Sequence, residues 1–434
     1  MSDKYTIVVK LGSSSIVDPN TQHPRISNMS RLVTTLSTLR SQGHKVVLVS
    51  SGAIAMGMNA TKITKKPKQL ATKQALAALG QNKLISLWDG LFHYLDQSTA
   101  QILLTRNDIV DYNQFKNAEN TLEELLKMEI IPIVNENDTI STQEIKFGDN
   151  DTLSAITAGM VSADYLFLLT DVDCLYTDNP RTNPDAKKVL IVKNMNNLNV
   201  NTKSGAGSSV GTGGMETKLI AADLATNAGV TTVICNSNHP EYILDIVNYS
   251  HLKDANIRYS DDGNIIETEE DFDKVNIEEE LNLKNQGIPL HTRFIGQPKL
   301  HVKNRQFWLL HGLKPRGSII VDYGCFQAIT RRNRAGLLPV GVIGVEGDFG
   351  QLECVEIKLG IKDSNKSVIV GRGRCNCSST EVEKVKGLQS EQVFGLVDSE
   401  YVVHRDNLAF PVKWGTEVVE FIEENFAKSQ REVS

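Results

Sequence analysis

Two short stretches bring glycine and lysine together. One is VVKLGSS, with Lys10 and Gly12; the other is GTGGMETK, Gly211 to Lys218. The second has the parts of a phosphate cradle but is not a P-loop, which needs Gly-Lys-Ser/Thr in tandem. Its lysine instead falls four residues after Gly214, in the first turn of a helix-like run, METKLIAADLATNAG. Backbone amides of a Gly/Ser turn can approach anionic oxygens closely, and a helix N-terminus favours them. Two lysines from separate loops could face one phosphoryl group and stabilise charge that spreads as it transfers. A lone lysine after a glycine is usually a surface lysine; the pair points to chemistry.

FGDNDTLSA (147–155) opens another helix-like run, with Asp149 and Asp151 on either side of Asn150. One acid would be enough for a cap. The surplus suits holding the lysines in place or helping to bind a magnesium–nucleotide complex. NEND (135–138) follows an apolar run directly. Its side chains could bind an ammonium and a carboxylate, or simply form a polar turn. Ser51-Gly52 adds a hydroxyl and a backbone amide suited to a carboxylate. The nine His show no HExxH spacing, and the six Cys contain no CxxC pair, only Cys375 and Cys377 in CNC. Free thiols in a reducing compartment are expected, and a zinc site is not.

These residues need a frame. Six short apolar runs, YTIVVK (5–10), KVVLVS (45–50), AQILLT (100–105), IIPIVN (130–135), DYLFLLT (164–170) and VTTVICN (230–236), have the look of strands buried on both faces. Helix-like stretches lie between them, including SNMSRLVTTLSTLRSQG, TKQALAALGQNKLISLWDGLFHYL and ENTLEELLKM. The alternation predicts an α/β fold, a mostly parallel sheet sandwiched by helices. In such sheets ligands bind beyond the carboxyl ends of the strands. The residues there are Lys10 to Ser14, Ser50 to Ala53, Thr105-Arg106, Asn135 to Asp138, Thr170-Asp171 and Asn236-Ser237. Any one end could be an ordinary turn; all six together are expected to build one polar site.

Length and composition agree. The chain has 434 residues, enough for two or three domains, and its formal net charge of −6 argues against a large basic nucleic-acid surface. No apolar run is long enough to span a bilayer, and MSDKYTIVVK lacks a signal-peptide layout, so a cytoplasmic protein is expected. The catalytic region is expected at 1–250. Residues 251–298 are expected as an acidic insertion and linker, since 260–280 holds ten Asp/Glu against one Lys. From 299 to 425, FWLLHG, GSIIVDYG, LLPVGVIGVEG, LECVEIKLG, SVIVGRG and YVVHRDNLAF suggest a smaller β-rich domain with a C-terminal tail. Helical pieces are expected at FQAITRRNRAG, STEVEKVKG and WGTEVVEFIEENFAKSQ.

VVKLGSS, VLVSSGAIAMG, KQALAALGQ, NENDTI, FGDNDTLSA, LLTDVDCLYTDNPR and GTGGMETK occur in this order. Together they resemble the glutamate 5-kinase (γ-glutamyl kinase) branch of the amino acid kinase family, and the part from about Lys299 resembles a PUA domain. The resemblance implies ATP-dependent phosphorylation of the L-glutamate side-chain carboxylate, the first step of proline biosynthesis. It implies ATP contacts from Lys10, Thr170, Asp171 and the loop Thr212, Gly213, Gly214, Met215, Glu216, Thr217 and Lys218. Ser51, Asp138 and Asn150 would bind glutamate, with Asn135 and Asp149 near it. Lys10 and Lys218 would stabilise the transferring phosphoryl and Asp151 would organise them, with no dedicated protein site for Mg2+. Proline as an inhibitor, self-association into a homo-oligomer and a separate glutamyl phosphate reductase downstream are further implications. PUA domains elsewhere bind RNA. Here 17 Lys/Arg against 16 Asp/Glu over 299–425 give that little support. The rivals are a kinase of another acid, and an RNA-binding or regulatory protein with a vestigial kinase domain.

Overall fold

The computed structural model describes residues 4–140, 150–193, 214–254, 272–296, 308–313, 315–331, 335–411 and 414–426, with a few single residues between them. The chain divides into two compact units, Met1–Leu300 and His301–Ser434.

The first unit runs β1 (Thr6–Leu11), α1 (Ser13–Ile16), α2 (Ile26–Ser41), β2 (Lys45–Ser50), α3 (Ala53–Thr61), α4 (Leu70–His93), β3 (Thr99–Leu104), α5 (Arg106–Val110), α6 (Tyr112–Lys127) and β4 (Ile131–Glu136). It continues with α7 (Asn150–Met160), β5 (Tyr165–Thr170), β6 (Leu175–Tyr176), β7 (Lys188–Val189), β8 (Ile191–Val192), α8 (Met215–Asn227), β9 (Thr231–Asn236), α9 (Tyr242–Asp254), α10 (Phe272–Gln286) and β10 (Thr292–Phe294). The main sheet has the order β3-β4-β2-β1-β5-β9-β10-β8. The six strands expected from the sequence pair in parallel; β10 is antiparallel to β9 and parallel to β8.

The strands are apolar on both faces because helices cover both. Ile7, Val9 and Leu11 of β1 join a core with Met29 and Leu32 of α2, Trp88 and Phe92 of α4, and Ile243 and Ile246 of α9. Alternation then turns Val8 and Lys10 to the opposite face, where α7 packs on β1 and β5, and α8 packs on α7 and β9. Strand parity alone thus aims Lys10 at α7 and α8.

Two glycines fix the α3–α4 pair. A Cβ at Gly80 would lie 1.7 Å from the Ala53 carbonyl oxygen, and one at Gly57 would lie 2.0 Å from that of Leu76. Only hydrogen fits between backbones that close. Gly52, at φ +105°, makes the sharp turn from β2 into α3.

Residues 272–296 differ from the expected acidic insertion and linker, because they contribute α10 and β10 to the first unit. Asn276, Glu279 and Leu283 are buried at helical spacing along α10, a stripe hidden by the surrounding acids. Asn276 Oδ1 accepts from the Leu190 N–H at 2.6 Å, and Glu279 accepts from Arg293 at 2.8 Å and from the Tyr249 hydroxyl at 2.9 Å. Residues 255–271 lie outside the described residues.

The second unit is built on a five-stranded sheet of order β12-β11-β13-β14-β15. Its strands are β11 (Gly317–Val321), β12 (Val342–Gly347), β13 (Cys354–Gly360), β14 (Ser367–Arg374) and β15 (Leu408–Ala409). The three expected helical pieces form at Tyr323–Thr330, Ser379–Val385 and Thr416–Phe426. FWLLHG, expected as a strand, instead forms a π-helical turn over Trp308–Gly312. The Arg372 guanidinium donates to the Leu310 and Leu313 carbonyls. All six cysteines of the chain are free. Burial pushes the Cys375 thiol up to about 12 and that of Cys377 to about 11, so neither is a ready thiolate.

Candidate active site

Because the strands are parallel, Lys10, Ser50, Glu136, Thr170 and Asn236 all lie at one edge of the sheet. β1 sits where the strand order reverses, with β2 and β4 on one side and β5 and β9 on the other. That reversal point is where an open α/β sheet leaves a crevice.

At its centre Asp151 bridges the two lysines. Lys10 Nζ lies 2.5 Å from Asp151 Oδ1 and Lys218 Nζ lies 3.2 Å from Oδ2. The Lys10 and Lys218 side chains are only 6% and 9% exposed, and that of Asp151 is fully buried. Burial alone would raise the Asp151 pKa. The two ammonium groups, with hydrogen bonds from Lys10 and Thr217, outweigh it and hold the carboxyl at about 2. Both ammonium groups share this carboxylate at the crevice, where they can stabilise a bound anion.

Thr217 Oγ1 lies 2.9 Å from Asp151 Oδ2 and 2.9 Å from the Gly214 carbonyl. Gly214 leads into α8 without a side-chain cap, so the first turn, from Met215 through Glu216 to Thr217, can offer backbone N–H groups to an anion. Thr212, Gly213 and Asp149 lie outside the described residues.

On the β2–β4 flank the polar groups interlock. Asn150 Nδ2 donates to Ser51 Oγ at 2.9 Å, tying the start of α7 to the β2–α3 turn. Asn150 Oδ1 is buried and has no hydrogen-bond partner among the described residues. Asn135 Nδ2 donates to Gln81 Oε1 at 2.8 Å, and Trp88 Nε1 donates to Ser50 Oγ at 2.9 Å. Asp138 follows β4 within the same turn; its N–H donates to the Glu136 carbonyl at 2.9 Å.

The β5–β9 flank is more open. Thr170 ends β5, and Asp171 forms an ion pair with Arg181 at 2.9 Å. Asn236 Nδ2 donates to Asp173 at 2.7 Å. Ser237 Oγ accepts from Ser15 Oγ at 2.7 Å, joining the turns after β9 and β1.

The structure therefore brings Lys10, Asp151, Lys218 and Thr217 into one cluster, and Ser51 and Asn150 into a second beside it. Thr170 and Asp171 line the other side of β1. Thr105, expected in the polar collar, is committed to a capping box with Asp108 at the start of α5. Gln81, Trp88 and Arg181 also bond to residues of this edge, Trp88 from within the core. Gln81 and Arg181 fall inside KQALAALGQ and LLTDVDCLYTDNPR, but the sequence reading singles out none of the three. Gln81 and Trp88 lie seven residues apart on α4, two turns on one face, and a Trp in an Ala/Leu helix signals a polar tip needing a partner. Arg181 lies within LLTDVDCLYTDNPR, ten residues beyond the Asp171 it pairs with.

The profile of the amino acid kinase family matches residues 5–236, and that of the PUA domain matches residues 317–395. The chain belongs to the amino acid kinase family and carries a PUA domain. An uncharacterized protein of Saccharomyces cerevisiae is 51% identical over 424 residues, covering 95% of this chain and 99% of its own. The probable glutamate 5-kinase of Schizosaccharomyces pombe is 51% identical over 409 residues, 93% of each chain. The glutamate 5-kinase of Acaryochloris marina is 42% identical over 409 residues, 93% of this chain and 98% of that one.

Proposed function

We propose that the first unit is a glutamate 5-kinase, transferring the γ-phosphoryl of ATP to the side-chain carboxylate of L-glutamate. A glutamate oxygen forms the new bond to phosphorus, the bond to the ADP oxygen breaks, and ADP and glutamyl 5-phosphate leave. The observation that carries this reading is the buried Lys10–Asp151–Lys218 cluster at the strand-order reversal. Curated relatives bearing that name over nearly the whole chain support it.

The chemistry suits the residues. A glutamate side chain ionises at about pH 4.3, so the nucleophile needs no general base at neutral pH. Catalysis then rests on positioning and charge stabilisation. Lys10 and Lys218 hold the charge that spreads over the phosphoryl oxygens, and Asp151 keeps both ammonium groups aimed at it. The uncapped first turn of α8 takes the nucleotide phosphates, with Thr170 and Asp171 on the nucleotide side. Ser51, Asn150 and Asp138 hold the amino acid; the unpartnered Asn150 Oδ1 is an acceptor suited to its ammonium.

Among the described residues no group of three His, Cys, Asp or Glu side chains converges on one point, and both Asp151 oxygens face lysines. We take magnesium to come with the nucleotide, where it would neutralise phosphate charge. The same reading carries the expected inhibition by proline, a separate reductase for the labile acyl phosphate, a cytoplasmic setting and self-association. Among the described residues no helix is long and apolar enough to cross a membrane.

ADP release measured with glutamate, aspartate, acetylglutamate and carbamate tests the substrate. Glutamate should clearly outperform the others; equal turnover of aspartate would sink the assignment. Asp138→Ala should raise the glutamate KM and leave that of ATP in place. Salt-sensitive RNA binding without ATP turnover would instead favour a regulatory protein.

A further inference from the structure

Asn135 is expected near the amino-acid substrate, yet its amide is largely committed to other protein groups. Its Oδ1 accepts from the Glu136 N–H at 2.9 Å. A backbone N–H can only donate, so this contact fixes the orientation of the Asn135 amide. Nδ2 is then the end that faces Gln81, and at 2.8 Å it must meet Gln81 Oε1. The Gln81 Nε2 group therefore points away from Asn135. Among the described residues it has no hydrogen-bond partner, and Gln81 is half-buried.

The location of Gln81 follows from its neighbour. Gly80 packs against the Ala53 carbonyl, so α4 touches the first residue of α3, directly after Ser51-Gly52. Gln81 thus stands between the end of β4 and the start of α3, on the flank that holds Ser51 and Asn150. Around it, Ser51, Asn135 and Asn150 supply neutral hydroxyl and amide groups. An amino acid needs acceptors for its ammonium and donors for its carboxylates. Asn150 Oδ1 offers the first, and a two-proton amide nitrogen beside an uncapped helix start offers the second.

We propose that Gln81 is a substrate-binding residue that sets specificity, its Nε2 donating to a carboxylate oxygen of the amino-acid substrate. Asn135 is its positioning residue, locking the amide so that the donor end faces the substrate. This rests on the proposed function, since it takes the acceptor to be an amino acid. A donor held by two successive fixed hydrogen bonds discriminates by length: an acid one methylene shorter leaves a half-buried amide unpaired.

The test is steady-state kinetics of the full chain with glutamate and ATP varied separately, alongside thermal unfolding. Gln81→Glu keeps an acceptor for Asn135 but removes the donor and sets a carboxylate against the substrate. It should raise the glutamate KM by tenfold or more, with the ATP KM within twofold and the melting temperature nearly unchanged. Gln81→Met, which removes both polar atoms at similar volume, should raise the glutamate KM less and narrow the preference for glutamate over aspartate. A glutamate KM within twofold of wild type in both variants would overturn the inference, as would equal rises in both KM values. A wild-type chain that does not phosphorylate glutamate overturns the proposed function instead. The same kinetics on whichever acid it does phosphorylate then decide for or against Gln81 by the same criteria.

Discussion

The two flanks of the sheet edge are built differently. On the β2–β4 side, Ser51, Asn150, Asn135, Gln81, Ser50 and Trp88 form neutral hydrogen bonds, and Ser50 and Asn135 are almost fully buried. On the β5–β9 side, Asp171 and Arg181 pair with about half of each side chain exposed. A small, fixed substrate is well recognised by locked neutral groups, to which Glu136 and Asp138 at the end of β4 add negative charge suited to an ammonium. A large polyanion is served by an open rim, where an exposed ion pair contributes only about 0–1 kcal/mol and yields readily. The buried Lys10–Asp151–Lys218 cluster stands between the flanks, at β1, where the phosphoryl would pass from one to the other.

Breaking the seam should have the largest effect. Asp151→Asn leaves two buried lysines without their shared counterion. We expect turnover to fall by about a thousandfold and stability by roughly 3–5 kcal/mol, read by ADP release and denaturant unfolding. Lys10→Ala and Lys218→Ala should each lower kcat by about 10²–10³ with the glutamate KM changed only a few-fold. Unchanged turnover in both would refute the two-lysine mechanism.

Next comes the scaffold of the neutral flank. Gly80→Ala forces a methyl into the Ala53 carbonyl, and the displaced α4 carries Gln81 and Trp88 with it. Stability should fall by about 1–3 kcal/mol, and the glutamate KM should rise more than that of ATP. If both KM values rose alike, the two flanks would not be independent.

A smaller effect appears in acid. The Asp151 carboxyl titrates at about 2 in the folded chain, below its ordinary 3.8. Its contribution to stability is complete above the unfolded value and is lost as pH falls through about 2. Between these values, wild type should lose stability more steeply with falling pH than Asp151→Asn. The smallest change is expected for Asp171→Asn, with stability within about 0.5 kcal/mol and a modest rise in the ATP KM.

The strands were legible because five of them are short apolar runs buried along most of their length, and the part-exposed edge strand β3 still keeps ILL at its end. All six expected strands formed with ends within a residue or two. Lys10 and Lys218 stood out as a pair, because one lysine beside a glycine is usually a surface lysine while two, at the ends of different elements, are not so easily explained. That acids of FGDNDTLSA could hold them was read from the residues, but that Asp151 is the one they meet on was implied only by resemblance. Their meeting depends on strand parity and on the packing of α7 against α8, contacts far apart in the chain. The Gln81–Asn135 contact was not legible because the partners lie 54 residues apart and the surroundings of Gln81 read as an ordinary Ala/Leu helix. α10 was misread for a related reason: its inward stripe of Asn276, Glu279 and Leu283 is two-thirds polar. A helix that buries polar groups against polar partners gives no amphipathic signal.

Strand alternation makes the site a matter of order rather than content. Exchanging Val9 and Lys10 would preserve composition, net charge and length. It would nevertheless drive an ammonium into the core that holds Trp88 and Ile243, and set an isopropyl group before Asp151. Two chains identical by every compositional measure would then differ as a folded kinase differs from a chain that cannot close its core, with the whole distinction held in one odd or even position.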